Sequence, residues 1–243
     1  MTSILRAEFL KQKHTFSKKI LWLAPITAFL VAFILTAGMT NAYSESVWNW
    51  WYTLLLPEML AIISYFNIAK ERKMVYYNQK TLPAGQKRLL LCKIIYMAIE
   101  MLFSNALLCL GAVLGGYLLG TSVPVGGAAI AIFVLTITYL WEIPVFLFLS
   151  ARFGMIADVC LCFFISLGGT VIASSGTWWL FGFSIPMRVV CPFLRVLPNG
   201  MRAPSDSPLL DMGVVLPGIM ISVCWFVAAV CLVLKWFEKK EVK

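Results

Sequence analysis

The sequence predicts an all-α integral membrane protein of six transmembrane helices, with an interfacial helix ahead of the first and re-entrant helices in the outer loop between the fifth and sixth. Three observations lead there. The chain is 61% hydrophobic and only 13% charged, with a mean hydropathy of +0.87, whereas a soluble domain carries about 25% charged residues. Six stretches reach the roughly 20 apolar residues that about 30 Å of hydrocarbon requires of a helix. The 20 Lys and Arg, which give a formal net charge of +9, collect on alternate connecting segments. Residues 1–243 are therefore read as a single transmembrane domain.

The arm 1–19 comes first. It places Leu5, Phe9 and Phe16 at helix-compatible spacings among Arg6, Lys11, Lys13, Lys18 and Lys19. That pattern suits a helix lying on the inner leaflet, lysines toward anionic headgroups; a plain basic flank is the alternative. The arm is too polar for a cleavable signal peptide, so the span behind it, 20–40, is read as an anchor. A short outer loop carrying Tyr43, Trp48, Trp50, Trp51 and Tyr52 suits an aromatic interface belt, and a second span follows at 51–69.

Between the second and third spans lies a polar island, 70–93, with seven Lys and Arg. Leu82-Pro83-Ala84-Gly85 marks a turn in its middle, and the residues on either side suit helices. The third span, 94–119, contains Gly111, Gly115 and Gly116 and is followed by Gly120, spacings that let a neighbouring helix approach closely. Spans four and five, 126–149 and 153–173, meet at a turn with Arg152. The outer segment 174–212 is broken by Pro186, Pro192, Pro198, Pro204 and Pro208. Its apolar runs 178–187 and 189–197 are too short to cross, so a re-entrant or interface-lying helical pair is expected. The last span is 213–234.

Charge orients these spans. Seventeen Lys and Arg lie on the arm, the island, the Arg152 turn and the tail; only Arg188, Arg195 and Arg202 lie on the opposite side. Basic residues resist translocation, so both termini and the island are expected in the cytoplasm. These charges are inner flanks of helices, and no nucleic-acid partner is expected.

Four acidic residues fall inside predicted spans: Glu58, Glu100, Glu142 and Asp158. An Asp at a helix centre costs roughly 2.5–3.5 kcal/mol on insertion scales, so each needs a reason to be there. Such groups either line a substrate path or hydrogen-bond helices together. Glu58 beside Pro57 and Glu142 two residues before Pro144 are the more suggestive, because proline frees a nearby carbonyl and opens the helix.

Enzyme chemistry is hard to assemble from these residues. The lone histidine, His14, lies in the arm, which removes His-based metal and serine–histidine sites. The seven cysteines include no CxxC pair and read as small apolar packing residues. The glycine run 115–122 lacks the Lys of a phosphate loop. No catalytic residue, bound cofactor or metal is expected on this chain.

Glu71, the polar helical stretch after it, Leu82-Pro83, Lys87-Arg88 and Lys93 together resemble the first cytoplasmic loop of ABC-2-type exporter permeases. The basic arm with Glu8 and Lys11, Leu197-Pro198-Asn199-Gly200, Ser207-Pro208-Leu209 and the closing Phe237-Glu238-Lys239-Lys240-Glu241-Val242 extend the likeness over essentially the whole chain. Together they resemble the permease subunits of lantibiotic-immunity exporters. The resemblance implies a Gram-positive plasma-membrane protein in which two permease subunits, identical or homologous, join two copies of a separate ATPase. ATP and Mg would be bound by that ATPase. The substrate would be a cationic lantibiotic peptide expelled from the membrane. Segment 70–93 would be the coupling element, with Glu71, Arg72, Leu82, Pro83, Lys87 and Arg88 facing the ATPase. The outer arginines fit a cationic substrate poorly and are expected to pair with Asp206, Asp211 or lipid headgroups.

Three alternatives compete with this reading. The first is a proton-coupled secondary transporter using the four carboxylates, which would show an inverted repeat of broken helices. A second is an ABC-2 exporter of another amphipathic or lipid substrate. The third, a non-transporting sensor or scaffold, would tolerate loss of the carboxylates.

Overall fold

The computed structural model describes residues 2–13, 15–36, 42–73, 86–120 and 123–240. Among these, all regular structure is helical apart from one antiparallel bridge, Val196 to Arg202. In chain order the helices are α1 (Thr2–Gln12), α2 (Phe16–Thr36), α3 (Tyr43–Trp50), a π-helical turn (Trp51–Leu55), α4 (Leu56–Lys73), α5 (Gln86–Leu119), α6 (Val125–Tyr139), α7 (Glu142–Phe153), α8 (Met155–Ala173), α9 (Ser184–Leu194) and α10 (Val215–Lys240). The Leu82-Pro83 turn, His14, the end of the first expected span at 37–40, and Glu241 and Val242 lie outside the described residues.

By length and composition, five helical segments can cross a membrane: Phe16–Thr36, Tyr43–Glu71, Lys87–Leu119, Met155–Ala173 and Met212–Phe237. The pair α6 and α7, bent by 47°, makes a sixth if it is counted as one span. The bend has a local cause: Pro144 has no N–H for the Leu140 carbonyl, and its ring crowds that carbonyl. Helix α6 therefore stops at Tyr139, and Glu142 opens α7.

Segment 43–50 differs from its expected form. It is helical and continues through the π turn into α4, and Trp48, Trp51 and Tyr52 are completely buried rather than set in an interface belt. The π turn accommodates Pro57, two residues beyond it. The Leu56 N–H bonds Trp51 O five residues back; the next bond in that pattern would need an N–H on Pro57. The Tyr139 hydroxyl donates to Tyr52 O instead. In α2, Pro25 likewise leaves Leu21 O without its helical donor, and Ser104 Oγ of α5 supplies one at 3.0 Å. The freed carbonyls of Tyr52 and Leu21 thus each tie one span to another.

Helix α9 straddles the two short runs expected to form a pair. Nearly all of it is buried, because α6, α8 and α10 each present a glycine to it. A Cβ on Gly127 would stand 2.0 Å from Phe193 O, one on Gly169 3.1 Å from Phe183 O, and one on Gly218 2.2 Å from Val189 Cγ2. The glycines of α5 also work as contacts: Gly111 meets the Phe29 ring of α2 and Gly115 the Tyr43 ring.

Candidate functional site

Segment 70–93 leaves α4 and enters α5, and its two ends are joined by buried ions. Lys93 Nζ lies 3.3 Å from Glu71 Oε1 and 3.9 Å from Glu8 Oε2, and donates to Asn67 O at 3.2 Å. Lys11 pairs with the same Glu71 oxygen and lies 3.5 Å from Glu8 Oε1. Lys70 Nζ donates to Lys11 O, and Gln12 Nε2 to Asn67 Oδ1 at 2.7 Å. Glu8, Gln12, Asn67, Glu71 and Lys93 are all buried. Helix α1 is therefore a third member of the α4–α5 junction, its Glu8 against protein rather than lipid.

The knot continues along α5. Phe9 packs edge-on against Tyr96 at 4.8 Å, and Lys18 Nζ stands 5.4 Å from both rings and 3.0 Å from Glu100 Oε1. Tyr96 donates to that same Glu100 oxygen. Glu100 is thus held by a cation and a hydroxyl at the α1 end of the bundle.

The other three intramembrane carboxylates converge elsewhere, between α4, α7 and α8. Glu58 and Asp158 lie within electrostatic reach of each other, and Cys162 within reach of Glu142, Glu58 and Asp158. Glu142 and Asp158 occupy the first turns of their helices, where the positive end of the helix dipole favours negative charge, whereas Glu58 follows the π turn within a continuous helical segment. Ser150 Oγ donates to Asp158 Oδ2. Among the described residues, Asp158 Oδ1 and both oxygens of Glu58 and of Glu142 are buried without a hydrogen-bond partner. Glu100 does not join this group.

The remaining expected coupling residues fall as follows. Lys87 and Arg88 are exposed in the first turn of α5, Arg72 lies in α4, and Leu82 and Pro83 are outside the described residues. On the far side of the bundle, Arg188 donates to Leu209 O and to Pro208 O, at 2.5 and 3.1 Å. Among the described residues it forms no ion pair with Asp206 or Asp211; Asp211 accepts instead from Gly213 N at 2.8 Å.

Sequence reasoning missed Asn67, Asn105 and Tyr96. The available signal was a side-chain amide inside an apolar span, which must find a partner across helices. Asn105 Oδ1 accepts from Trp51 Nε1 at 2.8 Å, and its Nδ2 donates to Thr136 Oγ1 at 3.0 Å, linking three spans.

A bundle of long apolar helices, with a buried ionic junction beside its polar segment, defines a multi-pass membrane protein. The family model described as ABC-2 family transporter protein matches residues 4–169, and the chain belongs to that family. No curated relative and no solved structure matches it. The family is the transmembrane component of an ABC transporter and partners an ABC ATPase.

Proposed function

We propose that this chain is the permease subunit of an ATP-driven exporter that expels a lantibiotic-type cationic peptide from the bacterial plasma membrane, protecting the cell. Both termini and segment 70–93 face the cytoplasm, on the side where seventeen of the 20 Lys and Arg lie. There 70–93 docks on an ATPase subunit, of which the complex holds two copies, and a second permease subunit completes the pathway. The peptide substrate rests on the resemblance to lantibiotic-immunity permeases.

The observation that carries the coupling role is the Lys93, Glu71, Lys11 and Glu8 knot. A push on 70–93 reaches α4 and α5 through their own backbones, and the knot makes α1, α4 and α5 move as one body. Rotation of that body shifts α4 against α7 and α8, where Glu58, Glu142 and Asp158 have oxygens with no protein partner. Ammonium groups of a cationic peptide would satisfy those oxygens as access changes.

The test pairs Pro83→Gly with Glu71→Ala in the assembled complex. Loss of ATPase association, or of substrate-stimulated ATP hydrolysis, is the expected result. Normal recovery of the complex with normal stimulated hydrolysis would remove the coupling role. Peptide export from vesicles without nucleotide would instead identify a carboxylate-coupled secondary transporter.

A further inference from the structure

Residues 195–203 form a tight hairpin at the end of α9. Leu197 N donates to Met201 O at 2.8 Å and Ala203 N to Arg195 O at 2.9 Å, and Gly200 takes a φ of 85° at the turn. The hairpin is anchored to the body of the protein. Asn49 Nδ2 donates to Pro198 O at 2.9 Å and Tyr52 OH to Leu197 O at 3.1 Å. Arg188 fixes the facing segment through the carbonyls of Pro208 and Leu209.

Between these two anchored segments lies a cavity of about 520 Å³, lined by Arg195, Arg202, Pro192, Ser205, Leu210 and Met212 among others. That volume is in the range of ligand pockets, on the order of 300–1,000 Å³. Among the described residues, no acidic side chain lines it. Arg195 and Arg202 are exposed, and among the described residues neither guanidinium has an ion-pair or hydrogen-bond partner. Arg188, by contrast, is committed to holding the loop.

The backbone adds a second observation. Arg195 caps the C-terminus of α9 at φ 56°, ψ 32°, the chain's one described non-glycine residue at positive φ. Glycine or asparagine relieves that conformation. Its occupant is instead an arginine lining the cavity. Met212, in the lining, is exposed, as are Met201 on the hairpin and Leu216 in the first turn of α10. Leu210 and Met212 therefore give the cationic cavity an apolar wall.

We propose that this cavity binds a phosphate group, carried on the headgroup of an anionic lipid whose acyl chains lie against Met201, Met212 and Leu216. Two planar guanidinium forks match the oxygens of a phosphate. The site is separate from the carboxylates of α4, α7 and α8, and it stands whether or not the chain exports a peptide.

The test uses the purified full-length chain in mixed micelles of phosphatidylglycerol and phosphatidylcholine, with retained lipid read by native mass spectrometry. Phosphatidylglycerol is expected to be retained over phosphatidylcholine. Arg195→Gln with Arg202→Gln is expected to weaken that retention roughly tenfold, the effect of losing one charge-assisted hydrogen bond or more. Arg152→Gln, in the last turn of α7, leaves it unchanged. Arg195→Gly relaxes the backbone, so it folds at least as stably and still loses headgroup binding. Inorganic phosphate titrated into lipid-free detergent separates the sources: binding abolished by the double substitution supports the site with free phosphate as its ligand. Retention of phosphatidylglycerol by both the double variant and Arg195→Gly, with no phosphate binding attributable to these arginines, overturns the proposal.

Discussion

The Lys93 ammonium lies 3.3 Å from the Glu71 carboxylate, across the 22 positions that separate them in sequence. That contact closes the 70–93 segment into a loop whose two ends are held at one point. Both groups are buried, and both also meet helix α1. The relationship gives a direct prediction. Lys93→Met leaves Glu8 and Glu71 with less positive charge than they are folded around, and removal of one buried ion-pair partner costs about 3–5 kcal/mol. Chemical unfolding in detergent should show that loss, and adding Glu71→Leu should recover part of it. A strictly additive double variant would show that the two residues are not coupled.

The glycines that receive α9 supply a matched comparison. Gly127→Ala would put a methyl 2.0 Å from the backbone oxygen of Phe193, which cannot rotate away, whereas Gly126→Ala meets nothing within 4 Å. The first should destabilise by about 1–3 kcal/mol through overpacking. The second should be neutral or stabilise by up to about 1 kcal/mol through helix propensity. Thermal unfolding of the two variants side by side checks the seating of α9.

Glu142 separates path from scaffold. It is fully buried, and neither carboxylate oxygen has a partner among the described residues, so the neutral isostere removes a charge without breaking a contact. Glu142→Gln should keep or raise thermal stability and reduce peptide export at least several-fold. Unchanged export by the folded variant would take Glu142 off the substrate path.

Trp51 should behave as a structural residue rather than a lipid anchor. Its indole N–H is the donor to Asn105 Oδ1, and Trp51→Phe keeps most of the ring while leaving that oxygen unpaired. The expected cost is about 1–3 kcal/mol, read as a lowered unfolding midpoint in detergent. A midpoint equal to that of the parent would return Trp51 to an interfacial role.

Much of the fold was legible in the sequence. Apolar length located the helices that can span, because the transfer of a helix into hydrocarbon is a sum over its own residues. The residues 86–93 run as a helix into the third span, as expected of the stretch after the Leu82-Pro83-Ala84-Gly85 turn, and the glycines of α5 meet rings of α2 and α3. The misplaced start of the second span has a clear cause: aromatic residues near a span end look the same whether they face headgroups or a protein core. Similarly, Glu100 and Glu142 resemble each other along the chain. One is paired with Lys18 and Tyr96, and the other is buried with no hydrogen-bond partner among the described residues.

The sequence by itself determined that this protein lives in a membrane, approximately where its long apolar helices lie, and which connecting segments carry the positive charge. These are local quantities, read from composition over about 20 residues at a time. Only the tertiary structure decided which polar groups meet. It brought Glu8, Lys11, Glu71 and Lys93 into one knot and set Glu58, Glu142 and Asp158 on the mutually packed helices α4, α7 and α8. It also set Arg188 to hold a loop while leaving Arg195 and Arg202 open to a cavity. Partnering of this kind depends on the rotation and crossing of helices, which packing at glycines and proline-freed carbonyls sets and which no single segment encodes.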